Sequence, residues 1–202
     1  MSRRLLVLAV VIVAALLVVP AAFALRVHVR VEGKTRTIYG STEPTLNVQL
    51  NALDALESAS VAGEFYYHVA IASFGQYVDQ IGHYPASGSS GWVFKVNDAS
   101  PPIGADKVTL NDGDRVLWYF ADFGPTGGPP TLTVKAASKA GCYTAAALDD
   151  GGKAATVSGL TWHVGSKKTA PGTTGTAYCP GKHTGLLVRA TATGAVRSNA
   201  LK

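Results

Sequence analysis

The stretch Arg26-Val27-His28-Val29-Arg30-Val31-Glu32 alternates without a break between valine and a charged or imidazole side chain. Successive side chains of a β-strand point to opposite faces of a sheet, so this spacing predicts a half-buried strand with its three valines inside. Gly33-Lys34-Thr35 then predicts a turn, and Ile38 with Tyr39 a second short strand. The segment therefore begins with a β-hairpin.

Beyond Pro44 the apolar residues take the spacing of a helix. Leucines recur three or four residues apart up to Gly63, which predicts one amphipathic helix packed on the sheet: Leu46, Leu50, Leu53 and Leu56. Two-residue alternation returns at Phe65–Ile71, Trp92–Val96 and Val116–Phe120. Hairpin, helix and further strands, in that order, indicate a β-grasp fold, which is a mixed sheet curled around one helix.

An export signal is predicted at the start of the chain. Basic Ser2-Arg3-Arg4 precedes an apolar run over Leu5–Val19, and Ala22-Phe23-Ala24 after Pro20 supplies a cleavage pattern of small residues, which places cleavage after Ala24. The apolar run is shorter than the roughly 20 residues that cross a bilayer, although extension to Ala24 leaves an uncleaved anchor as the alternative. We therefore expect a secreted protein that is free of the membrane once the signal is cut.

Composition favours a mainly β or α+β protein in two parts. Charged residues make up 15% of the chain, whereas Gly, Ala, Thr and Val are abundant, as in short strands joined by tight turns. Gly124-Pro125-Thr126-Gly127-Gly128-Pro129-Pro130 suits neither helix nor interior strand and predicts a linker at 124–130. We expect one domain at 25–123 and a second at 131–202. Loss of Arg3 and Arg4 lowers the net charge from +5 to +3, which does not support nucleic-acid binding.

The second part contains both cysteines of the chain, Cys142 and Cys179. An exported domain this small needs a staple, so a disulfide between them is predicted; two free thiols or a metal pair are the alternatives. Short apolar alternations separated by Gly- and Pro-containing turns predict a small antiparallel sandwich. The segment 160–199 is similar to bacterial Ig-like repeats, which act as spacers or adhesion modules.

Four motifs of the first part carry a second resemblance: Leu53-Asp54-Ala55-Leu56, Ser90-Gly91-Trp92-Val93-Phe94-Lys95-Val96-Asn97, Ile103-Gly104-Ala105-Asp106 and Leu110-Asn111-Asp112-Gly113-Asp114-Arg115-Val116. Over residues 26–122 the chain resembles a bacterial exported family related to the C-terminal β-grasp domain of the vitamin B12 carriers transcobalamin and intrinsic factor. The resemblance implies ligand binding or surface attachment and no catalysis.

In those carriers this domain covers one face of the corrinoid through the loop before the Trp strand, and a helical barrel covers the other face. This sequence has no such barrel, which disfavours cobalamin as the ligand. The corresponding segment, Ala72–Ser90, is predicted to be a long loop. Its aromatic residues and the Trp of the next strand are the candidate ligand-binding residues: Phe74, Tyr77, Tyr84 and Trp92. The alternative is that these rings only pin the loop to the sheet.

No motif of an enzyme, metal centre or cofactor site is recognised. The five histidines are dispersed, the Asp pairs lie in Gly-containing turns, and Ser87, Ser89 and Ser90 form no nucleophile elbow. Two functions follow from the sequence. The first is a secreted, non-catalytic module that binds a small molecule, and the second is a surface or matrix protein that contacts extracellular protein or polysaccharide.

Overall fold

The structure is a computed structural model that describes residues 24–73, 75–125 and 127–202. The predicted export signal spans residues 1–24. Residues 1–23 lie outside the described residues, and Ala24 is described. In the part that is described, no helix is both long and apolar enough to span a membrane. The molecule is mainly β with one α-helix and several sheets, which confirms the predicted fold class.

The described residues before the Gly/Pro segment form one helix and eight strands. They are β1 (Leu25–Glu32), β2 (Thr37–Tyr39), β3 (Thr45–Val48), α1 (Ala52–Gly63), β4 (Tyr67–Ala72), β5 (Gly75–Ile81), β6 (Tyr84–Pro85), β7 (Ser90–Val96) and β8 (Arg115–Asp122). A 3-10 turn at Ala105–Lys107 lies between β7 and β8. The main sheet has the order β2-β1-β8-β7, with β3 also paired to β1, and β4, β5 and β6 form a smaller sheet.

The main sheet is mixed and carries the helix on one face. β1 runs parallel to β8, and the other pairings are antiparallel. Val27, Val29 and Val31 are completely buried against α1, as their alternation predicts. A mixed sheet packed on a single helix is the arrangement that the β-grasp prediction requires.

The helix begins later than its leucine spacing predicts. Thr45–Val48 is a strand that pairs with β1, and α1 starts after Asn51. Asn51 Oδ1 accepts the backbone N–H of Leu53 and Asp54, and the Asp54 carboxylate accepts the N–H of Asn51 in return. This capping box satisfies backbone donors that no residue within the helix can pair, and so sets the start.

The predicted loop at 72–90 is wrong, because the segment contains β5 and β6. β5 pairs antiparallel with β4 from Tyr67 opposite Ile81 to Ala72 opposite Gly75. The sequence of β5, GQYVDQI, is mostly polar and buries only Val78 and Ile81, so its apolar pattern is too sparse to predict a strand. Backbone pairing with β4 decides its conformation instead.

The residues after the Gly/Pro segment form two antiparallel sheets around one core. Their strands are β9 (Thr131–Ala136), β10 (Tyr143–Leu148), β11 (Ser158–Val164), β12 (Lys167–Pro171), β13 (Val188–Thr193) and β14 (Ala200–Leu201). β9 pairs with β10, and the order of the second sheet is β12-β11-β13-β14. Leu132 and Trp162, one from each sheet, are buried in the shared core. The predicted disulfide between Cys142 and Cys179 is present.

The charged face of β1 is buried too, which the half-buried strand prediction missed. Arg30 is 3% exposed and Glu32 1% exposed, because the second unit covers this face of the sheet. Arg197 donates from Nε to Glu32 at 3.0 Å and from Nη2 to the carbonyl oxygen of Gly33. Arg30 donates to Glu32 at 3.4 Å and to the carbonyl oxygen of Arg197, so the two units share one buried ionic network.

Lys95 makes a second polar contact between the units. Its ammonium donates to Thr131 Oγ1 at 3.0 Å and to the carbonyl oxygens of Leu148 and Asp149. Burial lowers the pKa of Lys95, an effect that the nearby aspartates oppose. Between the two polar contacts lies an apolar cluster of Leu117, Tyr119, Ala121 and Val196. The sheet is therefore the middle layer of the molecule.

We expect the loss of Arg197 to destabilise the protein strongly. In Arg197→Ala, Glu32 stays buried and loses its partner from the second unit, which should lower the free energy of unfolding by about 3 kcal/mol. Urea denaturation with the disulfide intact measures this value. Arg26→Ala, which breaks the exposed pair with Asp112, is the matched control and should cost less than about 1 kcal/mol. Equal losses in the two variants would contradict the assigned role of the buried network.

Candidate functional site

Aromatic rings cover the helix-facing side of β7 and β8. The register of the two strands puts Trp92 opposite Phe120 and Phe94 opposite Trp118. The rings of Phe94 and Trp118 are stacked with centroids 5.0 Å apart, and those of Trp92 and Phe120 meet edge to face at 5.5 Å. Such cross-strand aromatic pairs stabilise a sheet and give it a flat apolar surface.

Both indole rings are held by hydrogen bonds. Trp118 Nε1 donates to the carbonyl oxygen of Ala52 at 3.2 Å, and Trp92 Nε1 donates to that of Tyr84 at 2.7 Å. A buried indole needs a partner for its single donor, and each of these has one in a different neighbouring element. The orientation of both rings is therefore set before any ligand binds.

A cavity of about 650 Å³ lies above these rings and is called here the aromatic cleft. Its floor is Trp92, Phe94 and Trp118, one wall is Gln76–Val78 of β5, and the other wall is Pro101–Lys107. Small-molecule sites typically have volumes of about 300 to 1,000 Å³ and mostly apolar linings with a few polar groups. The aromatic cleft has the size and composition of such a site.

The rim of the aromatic cleft exposes apolar surface beside a charged pair. Ile103 is 53% exposed and Tyr77 is 40% exposed, one on each wall. Lys107 lies 2.9 Å from the Asp106 carboxylate, and its side chain is 72% exposed. The arrangement suits a ligand with a flat apolar body and a polar end, because the floor offers the partly exposed ring of Phe94 and the rim offers charge.

The two walls approach each other at Gly104. A Cβ atom at this position would lie 2.7 Å from Asp106 Oδ1 and 3.7 Å from the carbonyl oxygen of Gln76. Glycine therefore lets the backbone pass close to Asp106, while Gln76 lies at ordinary van der Waals distance. The cleft is thus bounded along this side by backbone from both walls.

The wall formed by β4 and β5 is tied to the helix. Tyr67 Oη donates to the Glu57 carboxylate of α1 at 2.6 Å, and Val69 pairs with Val78 across the hairpin. Burial, with a further contribution from Glu57, raises the pKa of Tyr67 to about 12. At neutral pH the phenol keeps its proton and the tie between hairpin and helix persists.

The structure separates the four predicted site residues. Trp92 forms part of the floor of the aromatic cleft and Tyr77 part of its wall. Tyr84 does not line the cleft, and Phe74 lies outside the described residues. The Tyr84 ring packs behind the floor, 6.4 Å from Trp92 and 5.9 Å from Phe120 between centroids, and its hydroxyl is 2.7 Å from Thr35 Oγ1. Tyr84 therefore contacts Trp92 of the floor from outside the cleft.

Sequence reasoning missed the second wall of the cleft. Pro101–Lys107 has no regular apolar period, and its one sequence signal is the Ile103-Gly104-Ala105-Asp106 motif of the B12-carrier resemblance, which was not assigned to the binding site. Phe94 and Trp118 were expected on strands, but nothing local shows that their rings line a cavity. Within residues 24–73, 75–125 and 127–202, no three His, Cys, Asp or Glu side chains are grouped as metal ligands.

We expect the Tyr67 tie to make stability depend on pH above 10. The phenol has a pKa of about 12 in the folded chain and an ordinary value of 10.0, so the unfolded chain releases this proton first. Stability from this group is full below pH 10 and is lost as the pH rises toward 12. Tyr67→Phe should therefore show a shallower fall in the free energy of unfolding across that range, measured by urea denaturation. An unchanged slope would contradict the assignment.

Comparison with known proteins identifies a domain in the same part of the chain. Residues 50–122 match a family model described as a domain of unknown function, DUF4430. The matched segment contains α1 and β4 to β8, and with them the floor and both walls of the aromatic cleft. A search of curated proteins found no match. A DUF4430 domain therefore spans residues 50–122, just over a third of the chain.

Proposed function

We propose that the protein is a secreted, non-catalytic module that binds a small molecule in the aromatic cleft. The observation that carries this proposal is a cavity of about 650 Å³ whose floor is aromatic, with Phe94 partly exposed above the buried Trp92 and Trp118, and whose rim has exposed apolar side chains. Monomeric proteins bury most large apolar side chains, and those left at the mouth of a cavity commonly mark a binding surface.

The shape of the cleft supports a ligand with a planar or ring-shaped apolar part. Phe94 is stacked on the buried Trp118 and is itself partly exposed, so a ring or the apolar side of a sugar can pack on Phe94. Asp106 and Lys107 can pair with a polar substituent at the rim, since each carries a charge and Lys107 is exposed to solvent. The ligand class is therefore amphipathic and ring-bearing.

The resemblance to the B12-carrier domain also supports the aromatic cleft as the binding surface. Three of its four motifs contribute to the aromatic cleft: Leu53 from α1, Trp92 with Phe94 from β7, and Ile103–Asp106 from the second wall. In this proposal the DUF4430 domain is a relative of the transcobalamin-type domain. The ligand is bound in the aromatic cleft, whereas the carriers use the loop before the Trp strand. Cobalamin belongs in the test because of that likeness.

Fluorescence titration of the mature protein tests the proposal. A panel of cobalamin, riboflavin and an aromatic β-glucoside should contain a ligand that quenches tryptophan emission saturably, because Trp92 and Trp118 form the floor. Tyr77→Ala and Ile103→Ala should each weaken that ligand by about tenfold, the effect of losing roughly two buried methylene groups. Leu186→Ala, an equally exposed apolar residue in the second unit, is the matched control and should leave affinity unchanged.

Tyr84→Phe gives the second control, because it removes only the hydroxyl that contacts Thr35 behind the floor. Its affinity should stay within about twofold of the original, well below one tenfold step of 1.4 kcal/mol. The proposal would be wrong if no member of the panel quenched saturably, or if the Tyr84 and Leu186 variants lost as much affinity as the cleft variants.

A further inference from the structure

Positive charge is concentrated in the second unit, which the small net charge of the whole chain hides. Residues 131–202 contain nine Lys and Arg but only two acidic residues, Asp149 and Asp150. Residues 25–123 contain seven basic and eleven acidic residues. Asp149 and Asp150 both lie in the turn that meets the first unit, where Asp150 accepts a hydrogen bond from Tyr119. All other charged side chains of the second unit are therefore basic.

Part of this charge faces a cavity of about 440 Å³ between the two units. The first unit lines it with residues 35–41, which include Arg36 and Tyr39, and the second unit with Arg189 and Arg197. This cavity is called here the arginine pocket. The arginine pocket and the aromatic cleft have no lining residue in common.

The three arginines of the pocket differ in what they contact. Arg197 donates hydrogen bonds to Glu32 and to the carbonyl oxygens of Gly33 and Lys34. The guanidinium groups of Arg36 and Arg189 have no hydrogen bond or ion pair with any residue that the structure describes. A guanidinium group presents a planar fork of donors that matches a carboxylate or phosphate. Two such forks in one cavity favour an anionic ligand.

The positive charge continues from the pocket across the sheet of the second unit. The register places Arg189 opposite His163, and His163 opposite Lys168 on the next strand. Neighbouring strands lie about 4.8 Å apart, so the row reaches roughly 10 Å from the pocket. Burial lowers the pKa of His163, so the imidazole at the middle of the row is uncharged at neutral pH and the row presents two cations, Arg189 and Lys168, one on each side of it. An extended anionic ligand could pair with both cations.

We propose that the arginine pocket and the adjoining row bind an acidic polysaccharide. Arg36 and Arg189 would pair with its carboxylates, Ser41 would contact a sugar hydroxyl in the pocket, and Lys168 would contact the next acidic group. This site is independent of the aromatic cleft and of the function proposed for it.

Other polyanions fit the surface less well. The pocket is a recess between two units, whereas a bilayer offers a flat surface. Single-stranded nucleic acid is bound by successive aromatic side chains on which its bases stack, whereas the one aromatic residue among those lining the arginine pocket, Tyr39, packs its ring against Phe65. The arrangement of guanidinium groups and a hydroxyl, without a series of stacking rings, therefore favours an acidic sugar chain.

Binding of polygalacturonate to the mature protein, measured by isothermal titration calorimetry, tests the proposal. The affinity should fall as the salt concentration rises, and Arg36→Gln/Arg189→Gln should weaken it by at least about tenfold. Arg26→Gln/Lys139→Gln removes the same number of charges, one from each unit, away from the pocket and should stay within about twofold. Neutral dextran should not bind.

A second readout uses the imidazole of His163. Burial, then the charges of Arg189 and Lys168, lower its pKa, and its Nε2 is 2.9 Å from Thr191 Oγ1. A bound carboxylate beside the row should raise that pKa, which NMR titration of the histidine ring follows with and without polygalacturonate.

Equal weakening in the two double variants would overturn the proposal, because binding would then follow net charge alone. Tighter binding of single-stranded DNA or of phosphatidylglycerol vesicles than of polygalacturonate would also overturn it. Quenching by a ligand of the aromatic cleft should be unaffected in Arg36→Gln/Arg189→Gln. That measurement shows that the variant is folded and keeps the two proposals separately testable.

Discussion

The carboxylate of Glu32 is the group on which the arrangement of the two units depends. It is completely buried on the second face of the main sheet, where it accepts hydrogen bonds from Arg30, Thr37 and Arg197. Arg30 and Thr37 belong to the first unit, whereas the second unit both buries the carboxylate and donates Arg197 to it, so this buried charge is fully paired only with the second unit in place. The interface between the units is therefore part of the folded state of the first.

A sheet covered on both faces also supports the aromatic cleft. Side chains of β8 alternate, so Trp118 faces the cleft while Leu117 and Tyr119 face the second unit. Packing on both sides leaves the strand little freedom, and the hydrogen bonds of Trp92 and Trp118 orient the rings further. The cleft and the arginine pocket thus lie in different places on one scaffold and present opposite chemistry, apolar rings in one and unpaired guanidinium groups in the other.

Much of the fold could be predicted because its signals are local. The valines of β1, the aromatic alternation of β7 and β8, and the two cysteines in one small part each predicted a feature that the structure contains. Where prediction failed, a local pattern was either absent or ambiguous. β5 is too polar to show a two-residue period, and Leu46 fits helical spacing although its segment pairs with β1. Of the predicted site residues, Trp92 and Tyr77 line the cleft and Tyr84 lies behind it.

The sequence by itself determined the secondary structure type of most segments and the disulfide, since these depend on spacing along the chain and on the number of cysteines. Only the tertiary structure decided which charges are buried and which side chains share a cavity. Glu32 and Arg197 are 165 residues apart in sequence, and Arg36 and Arg189 reach one pocket from different units. Alternation shows which face of a strand a side chain takes, but what covers that face depends on contacts between distant segments.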